Sequence, residues 1–281
     1  MIRSRLVNIL LAAITAVVFV ILYGPIFVPI VSSFFVVKWG NVQWDQTTLA
    51  AYVALAHNDG ILEAVKNTIL VGVSAVILSI VIGTLLAFHY QSGRSRGREI
   101  IQFIVFLPFL MPPIITGLSL LIYFREIDFE RSLVTVIIGH TVFVLALVYR
   151  TLLVRLQALS RSMVEASYDL GATGWQTFRH VLLPHLASAM IGAAVLSFAL
   201  SFDETMITIL VTGTDSTLPI RLWAMMRLGF TPDINALVAI ILALTTALCL
   251  IAARHLMPRE AGGRSAQPND RRNRGACGTG G

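Results

Sequence analysis

Two adjacent carboxylates, Asp203 and Glu204, stand inside an otherwise apolar run, and an acid in that setting persists only where it faces water or a partner. Around them Ser197, Ser201, Glu204 or Thr205, Thr208 and Thr212 recur at helical spacing, one polar stripe along an apolar rod. Ser201, Asp203, Glu204 and Thr208 are therefore the candidate lining of a polar path. Two readings stay open: the acids face a solute, or they pair with Arg221 or Arg227 of the next segment or reach lipid headgroups. Other chemistry finds little support. A phosphate-cradling loop needs Gly-Lys-Ser/Thr at a helix start, yet Lys38 and Lys66 each follow a valine. His57, His89, His140, His180, His185 and His255 are scattered, and His180 and His185 flank Pro184 in poor ligand geometry. Cys249 and Cys277 lack metal-ligand spacing and are poorly placed to pair. No catalytic, cofactor or metal site is expected, and the chain is not expected to be an enzyme.

The elements that must position these residues are set by composition. With 281 residues, 56% apolar and 13% charged, and a mean hydropathy of +0.80, the chain reads as a polytopic membrane protein whose core is shared with lipid. We expect an all-α transmembrane helical bundle over 1–255. Its six membrane-spanning helices should lie near 9–33, 64–88, 100–123, 133–153, 185–210 and 234–253, with a cytoplasmic loop over 158–184 and both termini cytoplasmic. No secretory cleavage site follows the first apolar run. Pro108, Pro112 and Pro113 should bend the third helix, which places it inside the bundle where neighbours or water satisfy the freed backbone groups. Residues 38 to 63 form the first outside segment, with Trp39 and Trp44 near the interface. A short surface helix there, carrying Leu49, Tyr52, Val53 and Ala56, is either an interfacial anchor or a contact for a protein outside the membrane. The tail over 256–281, rich in Gly, Arg, Asn and Ser, is expected to be disordered and basic.

Charge supports this orientation. The cluster Arg94, Arg96 and Arg98 lies between two spans, and of the 21 basic residues 15 fall on the cytoplasmic side, leaving six outside with ten of the 15 acids. The pI of about 9.8 therefore reflects topology, in keeping with the positive-inside rule, and not a nucleic-acid partner.

The polar loop between the fourth and fifth spans, EASYDLGATGWQTFRHVLLP, reads as helix, turn, helix. Ser162 and Glu165 have capping-box spacing, and Met163, Ala166 and Leu170 share one face. Gly171 stops the first helix. Thr173 and Gln176 repeat the box, Trp175, Phe178 and Leu182 make a second stripe, and Pro184 marks the junction with the next span.

Glu165, Ala166, Ser167, Gly171, Val181, Leu183 and Pro184 fall at the spacing of the EAA loop, E-A-A, three residues, G, nine, I, one, L-P, so the chain resembles the permease subunits of ABC importers. Ser167 stands where that pattern has its second alanine, and Val181 where it has isoleucine. The resemblance implies that these seven residues form a coupling helix seated in a separate ATPase. It also implies two ATPase subunits, a second permease, similar or identical, a solute-binding protein outside, ATP bound only by the partner, alternating access, and a multi-pass place in the bacterial inner membrane. From SFDETMITILVTG through TLPIRLWAMMRLGFTPDINALVAIILAL the chain is similar to the second permease of spermidine/putrescine importers, which implies a polyamine-class solute. A carboxylate offsets the lost hydration of an ammonium, so Asp203 and Glu204 suit such a passenger, and if they face it Glu204→Gln should impair uptake of a cation. Permeases for opines, phosphonates or metal ions look alike at this level. An ion-gradient carrier working alone is the other class, but it usually shows paired repeats that this chain lacks.

Overall fold

The computed structural model describes residues 2–38, 41–91, 97–228 and 232–256. The arginines Arg94 and Arg96, Trp39 and the tail from 257 onward, with Cys277, lie outside the described residues. The protein is mostly helical. Helix α1 (Ile2–Ser32) runs on through Pro25 and Pro29, and within its stretch Val7–Ser32 only Ser32, at the very end, is buried. It touches the rest of the chain chiefly along α12 (Pro232–Leu256).

The expectation of an all-α chain needs one correction. Strands β1 (Phe35–Lys38) and β2 (Asn41–Thr47) pair as an antiparallel hairpin with an irregularity between Phe35 and Val36. Phe35 meets Trp44 edge-on at 5.1 Å, a cross-strand aromatic contact that favours the pairing. The expected surface helix follows as α2 (Ala50–Ala56). It buries Ala51 and Leu55 against Leu218 of α11 (Leu218–Leu228) and against Ala236 and Leu237 of α12.

Helices α3 (Asp59–Gln91) and α6 (Leu133–Gln157) form the central pair. Gly83 lets α3 approach the backbone of Tyr149, where a Cβ would stand 3.2 Å from its nitrogen. α9 (Leu183–Asp203) packs on both, and Ala146, Tyr149, Leu152, Leu153, Leu186 and Ala193 make the buried core between them. Burying each large apolar side chain contributes about 1.5–3 kcal/mol where the alternative is water. In lipid that contrast is lost, so close packing and interhelical hydrogen bonds matter more, such as the 3.3 Å bond from Ser79 Oγ to the Thr141 carbonyl.

Two expected spans are not continuous rods. Around 100–123 the chain forms α4 (Arg98–Leu110) and α5 (Pro113–Glu126), bent by 109°. Pro112 drives Met111 into an extended conformation (ψ 147°), and Pro113 starts α5. The Pro108 carbonyl, within reach of the break, accepts from Thr116 Oγ1 at 3.3 Å. The rod expected over 185–210 ends at Asp203 and resumes as α10 (Met206–Val211). Among the described residues four helices are long and apolar enough to cross a membrane, or five if the bent pair counts as one. Asp233–Ala247, within α12, is a shorter apolar stretch.

Candidate functional site

The loop between α6 and α9 is the first candidate. α7 (Arg161–Asp169) starts after Ser160, so Ser162 lies inside the helix and the Ser162–Glu165 capping box does not form. The stop is as expected: Gly171 adopts φ +82°, the Ala172 N–H reaches the Ser167 carbonyl at 3.1 Å and the Gly171 N–H the Tyr168 carbonyl at 2.9 Å. That pair of bonds is the Schellman termination, which satisfies the last carbonyls of the helix. A Cβ at Gly171 would meet nothing within 4 Å, so the constraint is conformational. Gly171→Ala is expected to weaken the turn by about 1–2 kcal/mol, measurable as faster hydrogen exchange over 167–176. Unchanged exchange would show that the left-handed residue is not what ends the helix.

α8 (Gly174–Thr177) starts with the expected reciprocal box, Gln176 N–H to Thr173 Oγ1 at 3.3 Å and Thr173 N–H to Gln176 Oε1 at 2.8 Å. Ser167 Oγ and Thr177 Oγ1 lie 2.8 Å apart and tie α7 to α8. Thr177 is the buried residue of α8, so the serine at the alanine position adds a tie that alanine lacks. Ser167→Ala should loosen this helix–turn–helix knob by roughly 1 kcal/mol, since it leaves a buried hydroxyl without this partner. Thermolysin cleavage within 165–178 reads this loosening, and equal cleavage rates would remove the tie from the account.

Pro184 is not a junction between separate helices. A π-helical turn, Phe178–Leu182, joins α8 to α9, with the Leu183 N–H bonded to the Phe178 carbonyl, so Gly174–Asp203 runs as one helical unit of 30 residues. The ring N–H of His180 donates to the Gln176 carbonyl at 3.0 Å and that of His185 to the Val181 carbonyl at 2.7 Å. Arg155 Nε donates to the His185 carbonyl at 3.2 Å. These bonds occupy carbonyls around the irregular turn.

Leu170 is 88% exposed and Trp175 67% exposed, with Tyr168 half exposed beside them. The expected stripes are therefore split: Leu170 and Trp175 present apolar surface at the tip, while Phe178 and Leu182 pack on this chain. Glu165, Ala166 and Pro184 are exposed, while Ser167, Val181 and Leu183 are half-buried. Phe178 stacks on Trp175 at 5.5 Å and meets Phe88 of α3 edge-on at 5.4 Å. The knob thus touches the core at α3 through Phe88.

The second candidate lies at the far end of α9, about 30 Å along the helix axis. The chain breaks at Glu204 (φ −74°, ψ 108°), and the two acids diverge. Asp203 is exposed, whereas Glu204 is buried. Glu204 Oε1 accepts the Ile207 N–H at 2.9 Å, satisfying an orphan donor at the start of α10. The pairing considered with Arg221 or Arg227 is not the contact it makes. Arg227 stacks over Trp223 at 3.9 Å and Arg221 lies against Gly60. Ile207 of α10 sits against Gly117 of α5 and Gly139 of α6, close approaches that only glycine leaves room for.

Ser201 and Thr208 are buried and do not line an open path in this arrangement. Both bond His140 of α6: Ser201 Oγ lies 2.7 Å from Nδ1 and Thr208 Oγ1 2.7 Å from Nε2. Sequence reasoning passed over His140 by weighing histidines only as metal ligands. An ionisable residue in the middle of an expected span was the signal available. Ser197, one turn before Ser201, is fully buried with no hydrogen-bond partner for its hydroxyl among the described residues. No cluster of metal-ligating side chains occurs among the described residues.

Residues 79–259 match the family described as binding-protein-dependent transport system inner membrane component. The spermidine/putrescine transport system permease protein PotC of Escherichia coli (strain K12) is 31% identical over 244 residues, covering 86% of this chain and 91% of the relative. The putrescine transport system permease protein PotI of the same strain is 33% identical, covering 80% of this chain and 82% of its own. Among solved structures, a bacterial ABC transporter involved in the import of the acidic polysaccharide alginate superposes with a TM-score of 0.68 at 17% identity. The match covers 90% of this chain and 96% of that one. An inward-facing MetNI methionine ABC transporter gives 0.59 at 19% identity, covering 75% and 98%.

Proposed function

The chain belongs to the family of binding-protein-dependent transport system inner membrane components, and from that premise we propose that the solute it passes is a polyamine-class cation. It is a permease subunit of an ABC importer, a multi-pass protein of the inner membrane, and a transport component like its relatives rather than an enzyme. The observation that carries the solute class is the match, over at least 80% of this chain, to permeases named for spermidine/putrescine and for putrescine. The fold alone would not choose, because the same architecture serves a transporter of an acidic polysaccharide. Asp203 adds a physical reason, since an exposed carboxylate at the end of α9 offsets part of the hydration an ammonium loses.

In this reading the chain crosses the membrane six times over 1–255, with the bent α4–α5 pair as the third crossing and α12 as the sixth. An even number of crossings and the inward bias of arginine put both termini in the cytoplasm. The knob then faces the cytoplasm. Glu165, Ala166, Ser167, Gly171, Val181, Leu183 and Pro184 transmit force from one of two ATPase subunits, whose cleft takes the exposed Leu170 and Trp175. ATP stays on those subunits, and no cofactor belongs to this chain. A second permease, similar or identical, completes the pathway, and a solute-binding protein delivers the solute from outside. The continuity of Gly174–Asp203 supports a lever, because a rigid helix carries displacement from knob to far end.

Uptake of radiolabelled spermidine and putrescine into proteoliposomes holding the assembled transporter tests the solute class. Accumulation of either that requires ATP and the ATPase subunits is the expected result. Uptake of an opine, a phosphonate or a metal ion with no polyamine uptake would overturn the solute. Polyamine uptake driven by an ion gradient without ATPase subunits would overturn the coupling.

A further inference from the structure

We propose that His140 is a positioning residue for transport, a pin that ties the two sides of the α9–α10 break to α6 and so keeps the two acids splayed, Asp203 outward and Glu204 inward. The position rests on Asp203 being the solute-facing acid. The pin itself rests on geometry alone.

The positions of the hydroxyl and ring hydrogens fix how the pin is built. Thr208 Oγ1 has one hydrogen, and it goes to the Glu204 carbonyl at 2.8 Å. Toward His140 the threonine oxygen is therefore an acceptor, and Nε2 must carry the ring proton across the 2.7 Å contact. In a neutral imidazole Nδ1 is then an acceptor, and Ser201 Oγ donates to it at 2.7 Å. The result is one directed chain: Ser201 hydroxyl to His140, His140 to Thr208, Thr208 to the carbonyl of Glu204. It starts on the last turn of α9, passes through α6 and ends on the residue where the helix breaks. Every donor in it is used, and His140, Ser201 and Thr208 are each at most 3% exposed.

Without this chain the segment has reason to straighten. The polar period from Ser197 to Thr212 fits an unbroken helix, in which Glu204 would adopt helical angles and its side chain would leave the Ile207 N–H. The break persists because a side chain on another helix bonds a residue before it and a residue after it. Conformational selection by such a pin keeps Asp203 exposed and Glu204 buried.

The test uses the full transporter with its partner subunits, purified in detergent and in proteoliposomes, carrying His140→Ala or His140→Gln. Glutamine carries a donating NH2 group and an accepting carbonyl oxygen on one amide and can replace both bonds. In the alanine variant, amide exchange over 203–208 should speed up roughly tenfold while α3 and the rest of α6 stay as in the parent. KM for spermidine uptake should rise about tenfold with the maximal rate nearly kept, and glutamine should restore both readouts in large part. Unchanged local exchange in His140→Ala would overturn the pin. So would a glutamine variant as impaired as alanine, since ring shape and not hydrogen bonding would then be what matters. Faster exchange with KM unchanged would overturn the positioning role. If the parent transports no polyamine, the solute reading fails on its own and KM is measured for the solute that is transported. If His140→Ala does not assemble, Thr208→Val removes one of the two bonds and is judged by the same two measurements.

Discussion

Gly213→Ala is expected to be among the most damaging single-atom additions to this protein, lowering its stability by roughly 2–3 kcal/mol. Gly213 sits in the turn that leaves α10, and a Cβ there would run into the carbonyl oxygen and carbon of Arg131. Those are backbone atoms, which cannot swing aside as the end of a long side chain can. The turn is also held on every side. The Val211 carbonyl accepts from Thr135 Oγ1 at 2.7 Å, Thr212 Oγ1 donates to the Asp215 carbonyl at 2.7 Å, and the Leu218 N–H donates to Thr68 Oγ1 at 2.7 Å. Ser132 and Thr135 cap the start of α6 beside it. Relieving the overlap therefore means giving up at least one buried bond. Gly24→Ala in α1 is the control, because nothing lies within 4 Å of its added carbon and a helical alanine is favoured by close to 1 kcal/mol. The thermal unfolding midpoint in detergent should fall clearly for the first variant and hold or rise for the second. Equal midpoints would mean the turn has room that the geometry denies.

What could be read from the sequence was chemistry that closes over a few residues. The Gly171 stop and the Thr173–Gln176 box are decided within four or five positions, and both are present. The Ser162–Glu165 box obeys the same spacing but fails, because α7 takes its first residue at Arg161 and leaves Ser162 no terminal N–H to cap. Prolines 108, 112 and 113 announced a disturbance of the third span. Spacing alone could not tell a kink from a bend of 109°, which depends on where α5 finds α6 and α10 to pack against. The hairpin over 35–47 escaped notice because its β1 half merges with the apolar run of α1.

The candidate site was legible to the same extent. The stripe Ser197, Ser201, Thr208 and Thr212 is there as a set of polar positions, yet period 3.6 cannot report that the helix carrying it is broken. The partner that breaks it, His140, is 61 residues from Ser201 and 68 from Thr208 in the chain. Likewise the apolar residues of the knob were correctly picked out, but whether Leu170 and Trp175 pack inward or wait for another protein is a tertiary fact.

The divergence of the two acids changes what their substitutions should do. The pattern alone favoured Glu204→Gln as the uptake-impairing change, but Glu204 is a buried cap whose Oε1 holds the Ile207 N–H, and a glutamine carbonyl can hold it too. We expect Glu204→Gln to transport within about twofold of the parent, and Glu204→Ala to lose about 1–3 kcal/mol of stability by orphaning that N–H. Asp203→Asn is the change that should matter for transport. It removes the charge from an exposed side chain without touching a cap, and losing one charge-assisted contact with an ammonium should raise KM for spermidine roughly tenfold to a hundredfold. The effect should shrink with added salt, because a solvent-facing charge is screened, and assembly with the ATPase subunits should be untouched. Uptake kinetics at low and high ionic strength separate the cases. A KM unmoved by Asp203→Asn would remove Asp203 from the pathway. A large KM effect from Glu204→Gln with normal stability would mean that the buried acid turns toward the solute at some stage of the cycle, which the pin at His140 is built to prevent.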